Sequence, residues 1–488
     1  MGSVRGVLAD PAVLLPDAPR LRDALQAAGW STATLDDLLG AGAREHLDRG
    51  ETAPLLRRTA GGDPLQVLTR LLVVGAPVPQ RQATDAGVPP SWLVPGGDGL
   101  VRCPVRLQPV RHGGVDVVVP HDPGRSGELV EREQVLGVGA ASLTLAAATP
   151  RDRVGRVLDL GCGSGVQALL AEDHAEAVVA TDTNPRAVGY ARLAAALAGA
   201  EVDVRQGSLL EPVAGEAFDL VVSNPPFVVG PASRYTYRDA GMAGDDVCRR
   251  LLLGLPDVLV PGGHAVLLAS WLHVEGEDGD ERVLGWLRET GCDGWVVQRE
   301  VAAPEDYVTA WLRDTDEGER FDDLYDPWVD WFAQQRVEAV AFGVVALRRP
   351  VRGSGAVRLD DVPQQTAATW GEEVVDHFRR IDALGGDLLD LRLRLRDDVR
   401  LVQVGAADPD GWVAVSQRLQ QETGLRWAGG IDDHGAALVA GCDGTVPFGQ
   451  LVQVLATALD EPYGEVCAQV VPVAEALVRK GFLLPVTG

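Results

Sequence analysis

The sequence predicts an α/β fold in which a mostly parallel sheet is covered by helices on both faces. Between about residues 121 and 350, short apolar segments alternate with segments of helical periodicity, which is typical of such a sheet. The five clearest apolar segments are RVLDLG, AVVATD, VDVRQG, FDLVVSN and HAVLLAS. They are short and, apart from VDVRQG, mostly apolar, as strands buried on both faces are. The chain has 488 residues, more than one ordinary core needs, so further domains are expected.

The two ends of the chain predict smaller domains. Residues 1–120 contain short amphipathic helical segments followed by strands with glycine turns, which predicts a helix-rich, winged-helix-like N-terminal domain. Residues 351–488 alternate helical and strand-like segments and predict an α+β C-terminal domain. Its last part predicts three helices and a closing strand, again winged-helix-like. The segment VRGSGAVRLDDVPQQ after Pro350 is interpreted as a linker or an edge strand.

The charge balance bears on possible partners. The chain carries 44 basic and 70 acidic residues, a net charge of −26, and residues 101–350 carry 23 basic and 39 acidic residues. Because phosphate backbones are bound mainly by basic patches, this field opposes avid nonspecific binding of nucleic acid. It does not exclude a local basic groove.

The remaining composition predicts a cytoplasmic protein with no membrane partner. No apolar run reaches membrane-spanning length, and the N-terminal segment lacks the apolar stretch of a signal peptide. The six cysteines form no C-x-x-C pair, so reduced core residues are expected rather than a disulfide frame or zinc site. His264 and His273 have no ligand partner at useful spacing, and no metal is expected. The sequence does not indicate an oligomeric state.

The segment RVLDLGCGSGVQALL combines a strand, a glycine-rich turn and a helix. Its glycines are Gly161, Gly163 and Gly165. Glycine allows tight turns and close approach of a ligand to the backbone, and a helix N-terminus presents free N–H groups. A dinucleotide fingerprint would need glycine where Val166 stands, so this spacing disfavours a dinucleotide oxidoreductase.

Polar residues also follow the next two strands. Asp182 ends the second strand, where an acid can accept two hydrogen bonds from a ribose diol. Ser208 follows the third strand, where it would lie beside an adenine ring. Because the carboxyl ends of parallel strands meet at one edge of the sheet, these residues outline a nucleoside cleft.

The fourth strand ends in an unusual tetrapeptide, Asn224, Pro225, Pro226 and Phe227. Two prolines cannot continue a central sheet ladder. With the glycine turn and Asp182 in this order, the chain from about 121 to 350 resembles a class I S-adenosylmethionine-dependent methyltransferase. The tetrapeptide is similar to the (N/D)-P-P-(Y/F/W) signature of methyltransferases that act on planar, conjugated nitrogens.

This resemblance implies a seven-stranded Rossmann-like domain with S-adenosyl-L-methionine as cofactor. It implies that Asp159 and the three glycines surround the methionine part, Asp182 the ribose, and Ser208 with Leu209 the adenine. The cofactor-binding residues expected are Asp159, Gly161, Cys162, Gly163, Gly165, Asp182, Thr183, Asn184, Ser208, Leu209 and Asn224. The catalytic residues expected are Asn224, Pro225, Pro226 and Phe227.

The chemistry of a conjugated nitrogen explains these residue types. Its lone pair is delocalised, so it is a poor nucleophile, and no side chain easily removes its proton first. Asn224 offers a carbonyl acceptor for one N–H, and the Pro225 carbonyl can take the other. The prolines stiffen the loop, and Phe227 can stack on the flat group. No general base is required.

Two substrate classes remain open, a protein glutamine of the release-factor type and a guanine-N2 or adenine-N6 nitrogen of ribosomal RNA. Gly244, Asp245 and Leu251 keep part of a pattern of the glutamine enzymes, although Asp246 stands where glycine is usual. The acidic central region favours a protein substrate. Four arginines could instead favour RNA or pair with acids such as Asp239: Arg234, Arg238, Arg249 and Arg250. A further alternative is a regulator that binds the cofactor without catalysis.

Two other segments have two interpretations each. The acidic, aromatic stretch 304–336 is either a substrate lid or an extra helical layer that packs Trp311, Trp328 and Trp331; we favour the layer. His121 and Asp122 lie before the first strand, and could contact substrate or form a turn or helix cap; we favour the turn or cap.

Overall fold

The structure is a computed structural model that describes residues 9–40, 42–123, 133–231, 244–314, 321–353, 355–409 and 411–486. The chain divides into two compact units. The first comprises Met1–Ala146 and Asp152–Asp361, and the second comprises Ala147–Arg151 and Val362–Gly488. The predicted boundary near residue 120 does not separate these units, and the division into three domains stays a prediction.

The first unit begins with short helices and two small β structures. The helices are α1 (Pro11–Leu14), α2 (Ala18–Ala27), α3 (Thr32–Leu39), α4 (Ala43–Asp48), α5 (Thr52–Arg58), α6 (Pro64–Leu68) and α7 (Gln80–Asp85). The strands are β1 (Val78–Pro79), β2 (Val94–Gly97), β3 (Leu100–Arg102), β4 (Arg106–His112) and β5 (Val115–His121). Strands β1, β3 and β2 form one antiparallel sheet, and β4 pairs with β5 as a hairpin.

The large sheet of the first unit follows. Its helices are α8 (Ala140–Ala148), α9 (Val166–Ala171), α10 (Pro185–Ala198), α11 (Asp246–Gly254), α12 (Gly279–Thr290), α13 (Pro304–Asp314) and α14 (Phe321–Gln334). Its strands are β6 (Val154–Leu160), β7 (Ala175–Asp182), β8 (Val202–Gln206), β9 (Phe218–Ser223), β10 (Leu259–Val274), β11 (Asp293–Ala302), β12 (Val337–Arg348) and β13 (Val357–Asp361).

These strands are arranged in the order β13-β11-β12-β10-β9-β6-β7-β8. The pairs between β8, β7, β6, β9 and β10 are parallel, whereas β12 runs antiparallel to both β10 and β11. The central strands are almost wholly apolar because helices cover both faces, as in FDLVVS of β9. The predicted α/β class and Rossmann-like sheet are confirmed.

The sheet has eight strands rather than the seven expected. The additional strand, β13, pairs in parallel with β11, so the edge-strand interpretation of the segment after Pro350 is correct. Its residues are mostly half-buried, and Arg358 and Asp360 pair with each other. An edge strand with charged side chains lacks the apolar run that makes a central strand recognisable.

The N-terminal helices share a core with the large sheet's helix α10. Ala187, Tyr190, Leu193 and Leu197 of α10 are buried in one cluster with Leu21 and other apolar residues of the N-terminal segments. Burial of this apolar surface is the main free-energy gain that holds these elements together. The N-terminal segments therefore fold as part of the first unit.

The aromatic insertion forms the helical layer that we favoured. Helices α13 and α14 pack with β12 and β10 around Tyr307, Val308, Leu312 and Phe332, all buried. Three half-buried tryptophans lie against this cluster: Trp311, Trp328 and Trp331. The lid interpretation stays a prediction.

The second unit contains α15 (Gly371–Ala383), α16 (Asp433–Ala440), α17 (Phe448–Leu459) and α18 (Tyr463–Arg479). Its strands are β14 (Arg392–Leu395), β15 (Val399–Asp408), β16 (Gly411–Gln421), β17 (Ala428–Gly430), β18 (Asp443–Pro447) and β19 (Leu483–Pro485). They form two antiparallel sheets, β18-β14-β19 and β15-β16-β17. The three terminal helices and the closing strand occur as expected, and the winged-helix comparison stays a prediction for both ends.

Two further features concern the chain as a whole. Within the described ranges, no helix is both long enough and apolar enough to cross a membrane. Five of the six cysteines are buried, and Cys467 is half-buried, which fits small core residues.

Candidate active site

A cavity of about 1550 Å³ opens at the carboxyl ends of β6, β7, β9 and β10, inside the first unit. Its wall is completed by residues 134–144 and by helix α13. All the predicted site residues line it except Gly165. Those that line it are Asp159, Gly161, Cys162, Gly163, Asp182, Thr183, Asn184, Ser208, Leu209, Asn224, Pro225, Pro226 and Phe227.

The three glycines after β6 have two different roles. Gly161 and Gly163 have φ angles of +73° and +53°, and a Cβ atom on either would meet no atom within 4 Å. They therefore turn the chain and leave open space on the cleft side. Gly165, with a φ of +86°, would place a Cβ 3.2 Å from the Cα of Ala191, so its small size lets α9 approach α10 closely.

Asp182 holds the glycine turn in place. Its Oδ2 accepts a hydrogen bond from the Gly163 N–H at 2.9 Å, and its Oδ1 accepts one from the Asn184 N–H at 2.9 Å. Burial raises the pKa of this carboxyl, and the backbone donors oppose that shift. A carboxylate oxygen has two lone pairs, so each can still accept a ligand hydroxyl.

Asp159 lies deeper, at the end of β6. Its Oδ2 accepts from the Ala168 N–H at 2.9 Å and so satisfies a free donor of the first turn of α9. Burial raises its pKa to about 7, and the charge of Asp182 adds to the shift. Burial also raises the pKa of the neighbouring Cys162 thiol well above its usual range, which makes that thiol an inert wall residue.

Asn184 and Leu209 complete the cofactor side. The Asn184 Oδ1 accepts from the Arg186 N–H at 2.9 Å, which caps α10, and its Nδ2 donates to the Glu133 carbonyl at 3.0 Å. Both ends of this side chain are thus engaged within the protein. Leu209 has a φ of +49°, a region that a branched side chain seldom adopts. Such strained backbone is concentrated at ligand sites.

Asn224 carries an unsatisfied buried acceptor. Its Nδ2 donates to the Ser142 Oγ at 3.3 Å, and the Ser142 carbonyl accepts from Gln167 Nε2 at 2.7 Å. Its Oδ1 is buried without a hydrogen-bond partner in the described structure, and so is the Oγ1 of Thr181, another residue that lines the cleft. A buried unpaired polar group costs roughly 1–3 kcal/mol, so it indicates a missing donor.

Aromatic rings form the wall beyond Asn224. The Phe227 ring centroid lies 5.1 Å from that of Phe342 and 6.1 Å from that of Trp311. Tyr307 also lines the cleft, and its hydroxyl accepts from the Val229 N–H at 2.8 Å. The sequence indicated Trp311 only through the aromatic density of its segment, and it contained no signal for Phe342 or Ser142.

Asp122 is neither a substrate contact nor a simple turn, and both interpretations of it were wrong. It is 1% exposed and accepts from Arg186 Nε at 2.8 Å, Tyr190 Oη at 2.7 Å and the Val135 N–H at 2.9 Å. This network fixes residues 134–137, which line the cleft. His121 Nδ1 lies 2.7 Å from the Asp122 carbonyl, and burial lowers the pKa of His121 to about 4.

The arginines proposed for RNA do not reach the cavity where they are described. Arg249 pairs with Glu289 at 3.2 Å, and Arg250 is exposed away from the cavity wall. Asp245 is paired with Arg282, whose Nε lies 2.7 Å from it. Arg234, Arg238 and Asp239 lie outside the described residues. Among the described lining residues there is no arginine, lysine or histidine, whereas Asp159, Asp182, Glu300 and Asp306 all contribute carboxyl groups.

Comparison with known families agrees with this geometry. Residues 136–270 match the family model described as "Methyltransferase small domain". This segment is a methyltransferase small domain. The flanking segments 27–93 and 357–485 each match a domain of unknown function, DUF7059 and DUF7782 respectively. The methyltransferase domain is Rossmann-like, and its cofactor is S-adenosyl-L-methionine, as expected.

Two named relatives of the methyltransferase domain differ in substrate. A release factor glutamine methyltransferase of Geobacter sulfurreducens is 39% identical over 158 residues, which is 29% of this chain and 53% of that protein. Ribosomal RNA small subunit methyltransferase C of Alcanivorax borkumensis is 33% identical over 116 residues, 24% of this chain and 32% of that protein. The chain thus spans about half the length, or less, of these relatives.

One solved structure is similar to this chain over less than half of its length. The Thermus thermophilus 16S rRNA N2 G1207 methyltransferase, in complex with AdoMet and guanosine, is 21% identical, with a TM-score of 0.28. The match covers 43% of this chain and 56% of that one. A score this low carries no argument about function.

Proposed function

We propose that the chain is an N-methyltransferase that transfers the methyl group of S-adenosyl-L-methionine to the side-chain amide nitrogen of a protein glutamine. The observation that carries this proposal is the buried, unpaired Oδ1 of Asn224 at the end of β9. It is an acceptor held ready for an N–H donor, next to an aromatic ring and inside a cavity that fits a nucleoside cofactor.

The residues present fit the cofactor. Gly161 and Gly163 leave open space where a Cβ would otherwise intrude, and Asp182 keeps lone pairs available for a ribose diol. The unpartnered Thr181 Oγ1 offers a further hydrogen-bonding group. When bound, the cofactor supplies an electrophilic methyl group on a sulfonium.

The chain's own residues then orient the acceptor nitrogen. Asn224 Oδ1 accepts one N–H of the amide, and the Pro225 carbonyl offers a second acceptor. These two bonds turn the nitrogen lone pair toward the cofactor side and favour the positive charge that develops on nitrogen. Phe227 lies against the flat amide group. The proton is lost after transfer, when the nitrogen is acidic, so a base is not needed.

Ser142 and Gln167 position Asn224. The Ser142 Oγ accepts a hydrogen bond from the Asn224 Nδ2, and the Asn224 Oδ1 keeps its acceptor unpaired. Gln167 in turn holds the Ser142 backbone, and its side chain is buried. A site supported by such surrounding hydrogen bonds keeps its geometry before substrate arrives.

The charge of the cleft supports protein over RNA. A bound RNA would bring phosphates close to a wall that has four carboxyl groups and, in its described part, no cationic side chain. A glutamine side chain is neutral and adds no such repulsion. A cytoplasmic location agrees with this substrate and stays a prediction.

The test is methyl transfer from tritium-labelled cofactor into a cell extract that is afterwards divided into RNase-treated and protease-treated samples. Label that resists RNase and is lost with protease supports the proposal, whereas label in RNA overturns it. Asn224→Ala is the catalytic control, and cofactor titration checks that it is folded. If wild type and this variant both bind cofactor and label nothing, the chain is a non-catalytic cofactor binder.

A further inference from the structure

We propose that the acceptor end of the cleft selects a positively charged side chain close to the methylated nitrogen, with Glu300 and Asp306 as the specificity-determining residues. This proposal rests on the proposed function. It narrows the substrate from any protein glutamine to one flanked by lysine or arginine.

Glu300 lies on the same side of the sheet as the aromatic wall. In the antiparallel pairing of β11 with β12, Glu300 stands directly opposite Phe342. Residues paired in this way project to one face and lie next to each other. Because the Phe342 ring is 5.1 Å from Phe227, Glu300 is two side chains away from the tetrapeptide. The bulge residue beside it, Arg299, does not line the described cleft.

Asp306 approaches the same region from helix α13. It lines the cleft together with Ala310, one helical turn further on, and with Trp311. Trp311 contacts Phe227 edge-on at 6.1 Å. The Phe227 ring is thus flanked by the rings of Phe342 and Trp311. Glu300 is paired opposite Phe342, and Asp306 lines the cleft together with Trp311.

These two carboxylates differ from the acids of the first unit that pair with arginines. Glu281, for example, pairs with Arg288, and Glu216 pairs with Arg156 and Arg205. Glu300 and Asp306 are both exposed, and neither has a hydrogen-bond or ion-pair partner in the part of the chain that the structure describes. The acids at the cofactor end accept hydrogen bonds from backbone amides instead.

The combination points to a cation as the group recognised. Aromatic faces attract ammonium and guanidinium groups, and nearby carboxylates add a direct charge attraction. Neither group is deeply buried, so neither pays a large desolvation cost before the ligand arrives. A flat neutral amide stacked on Phe227, with a cation beside it, matches both the aromatic rings and the carboxylates of the acceptor end.

The test uses three synthetic peptides of equal length with one central glutamine, flanked by arginine, by alanine or by glutamate. We expect kcat/KM to fall in that order for wild type. The double variant Glu300→Gln with Asp306→Asn should reduce the ratio of the arginine to the alanine peptide by about tenfold. Its rate on the alanine peptide is the reference for this ratio, and its cofactor affinity should be unchanged.

Two further variants sharpen the test. Glu305→Gln removes an exposed carboxylate next to Asp306 that does not line the cleft, and should leave the ratio as in wild type. This controls for the general charge of the first turn of α13. Glu300→Lys with Asp306→Lys should reverse the preference toward the glutamate peptide.

The possible results distinguish a failure of this selectivity from a failure of the proposed methyltransferase function. Equal rates on the three peptides, or an unchanged ratio in the double variant, overturn the selectivity and leave the methyltransferase intact. If only an extract protein is methylated, mass spectrometry of its site decides, and a site with no lysine or arginine within about four residues overturns the selectivity. Label in RNA, or none, overturns the proposed function itself.

Discussion

The two ends of the cleft are built in different ways. The cofactor end lies at the tips of β6, β7 and β8, and is made mainly of backbone, glycines and acids whose oxygens accept from main-chain N–H groups. The acceptor end is made of aromatic rings and unpaired polar atoms that come from β9, α13, β11 and β12.

The difference explains how one domain can keep its cofactor while its substrate changes. A site formed by backbone geometry tolerates few substitutions, because its glycines adopt conformations that other residues rarely adopt and its main-chain N–H groups need their hydrogen-bond partners. A site formed by side chains of separate elements can change by substitution without disturbing the sheet.

Asn224→Ala should lower kcat about a thousandfold, because it removes an acceptor aimed at developing positive charge. Asn224 lies where the cofactor end and the acceptor end meet, and the family resemblance implies both a cofactor-binding and a catalytic role for it. We expect cofactor affinity, measured by calorimetry, to change less than about tenfold. Ser142→Ala should show the same pattern with a smaller loss. An equal loss of cofactor binding and kcat would assign Asn224 to the cofactor end.

Asp182→Asn should weaken cofactor binding about a hundredfold, because hydrogen bonds to a charged acceptor are lost and an NH₂ group is turned toward a main-chain N–H. The KM for the acceptor peptide should remain unchanged. Glu176→Gln, at the exposed other end of β7, is the matched control and should bind cofactor normally. A raised acceptor KM in Asp182→Asn would show that the two ends are not independent.

Asp159→Asn should change the pH dependence of stability. Burial raises the pKa of Asp159 to about 7 from its usual 3.8, so the folded state favours the protonated form. Its contribution is fully present below pH 3.8 and is lost as pH rises toward 7. Between pH 5 and pH 7 the unfolding free energy of wild type should fall by about 2 kcal/mol relative to the variant, measured by denaturant titration. Parallel curves would contradict this.

Trp311→Leu should raise the acceptor KM about tenfold and leave cofactor affinity alone, because it removes a ring from the acceptor wall only. Trp331→Leu is the control, since Trp331 packs in the same aromatic cluster and does not line the described cleft. The control should lower the melting temperature without changing KM. Equal KM values for the two variants would show that the layer acts only through packing.

Much of the cofactor end could be predicted, because its residues lie in three short contiguous segments after β6, β7 and β8. The order of the glycines, Asp182 and the tetrapeptide sufficed to indicate the fold and the cofactor. The role of Gly165 could not be predicted, because its partner Ala191 belongs to another helix. The extra strand β13 was uncertain for a related reason. Its sequence lacks the apolar pattern of a strand, and only its pairing with the distant β11 identifies it as one.

The acceptor end was predicted only at its tetrapeptide. Glu300 and Phe342 become neighbours through the register of β11 and β12, which a pattern of apolar residues does not specify to the residue. Asp122 was misassigned because its partners Arg186 and Tyr190 lie 64 and 68 residues away along the chain. No local motif marks such a pair.

Three features follow from short stretches of sequence and their backbone preferences: the parallel sheet, the glycine turn and the rigid end of β9. The tertiary structure decided which side chains face Asn224, which acids remain unpaired and which arginines are occupied. Those properties arise where distant segments pack together, and packing distributes hydrogen bonds and charges among residues that the chain order keeps apart.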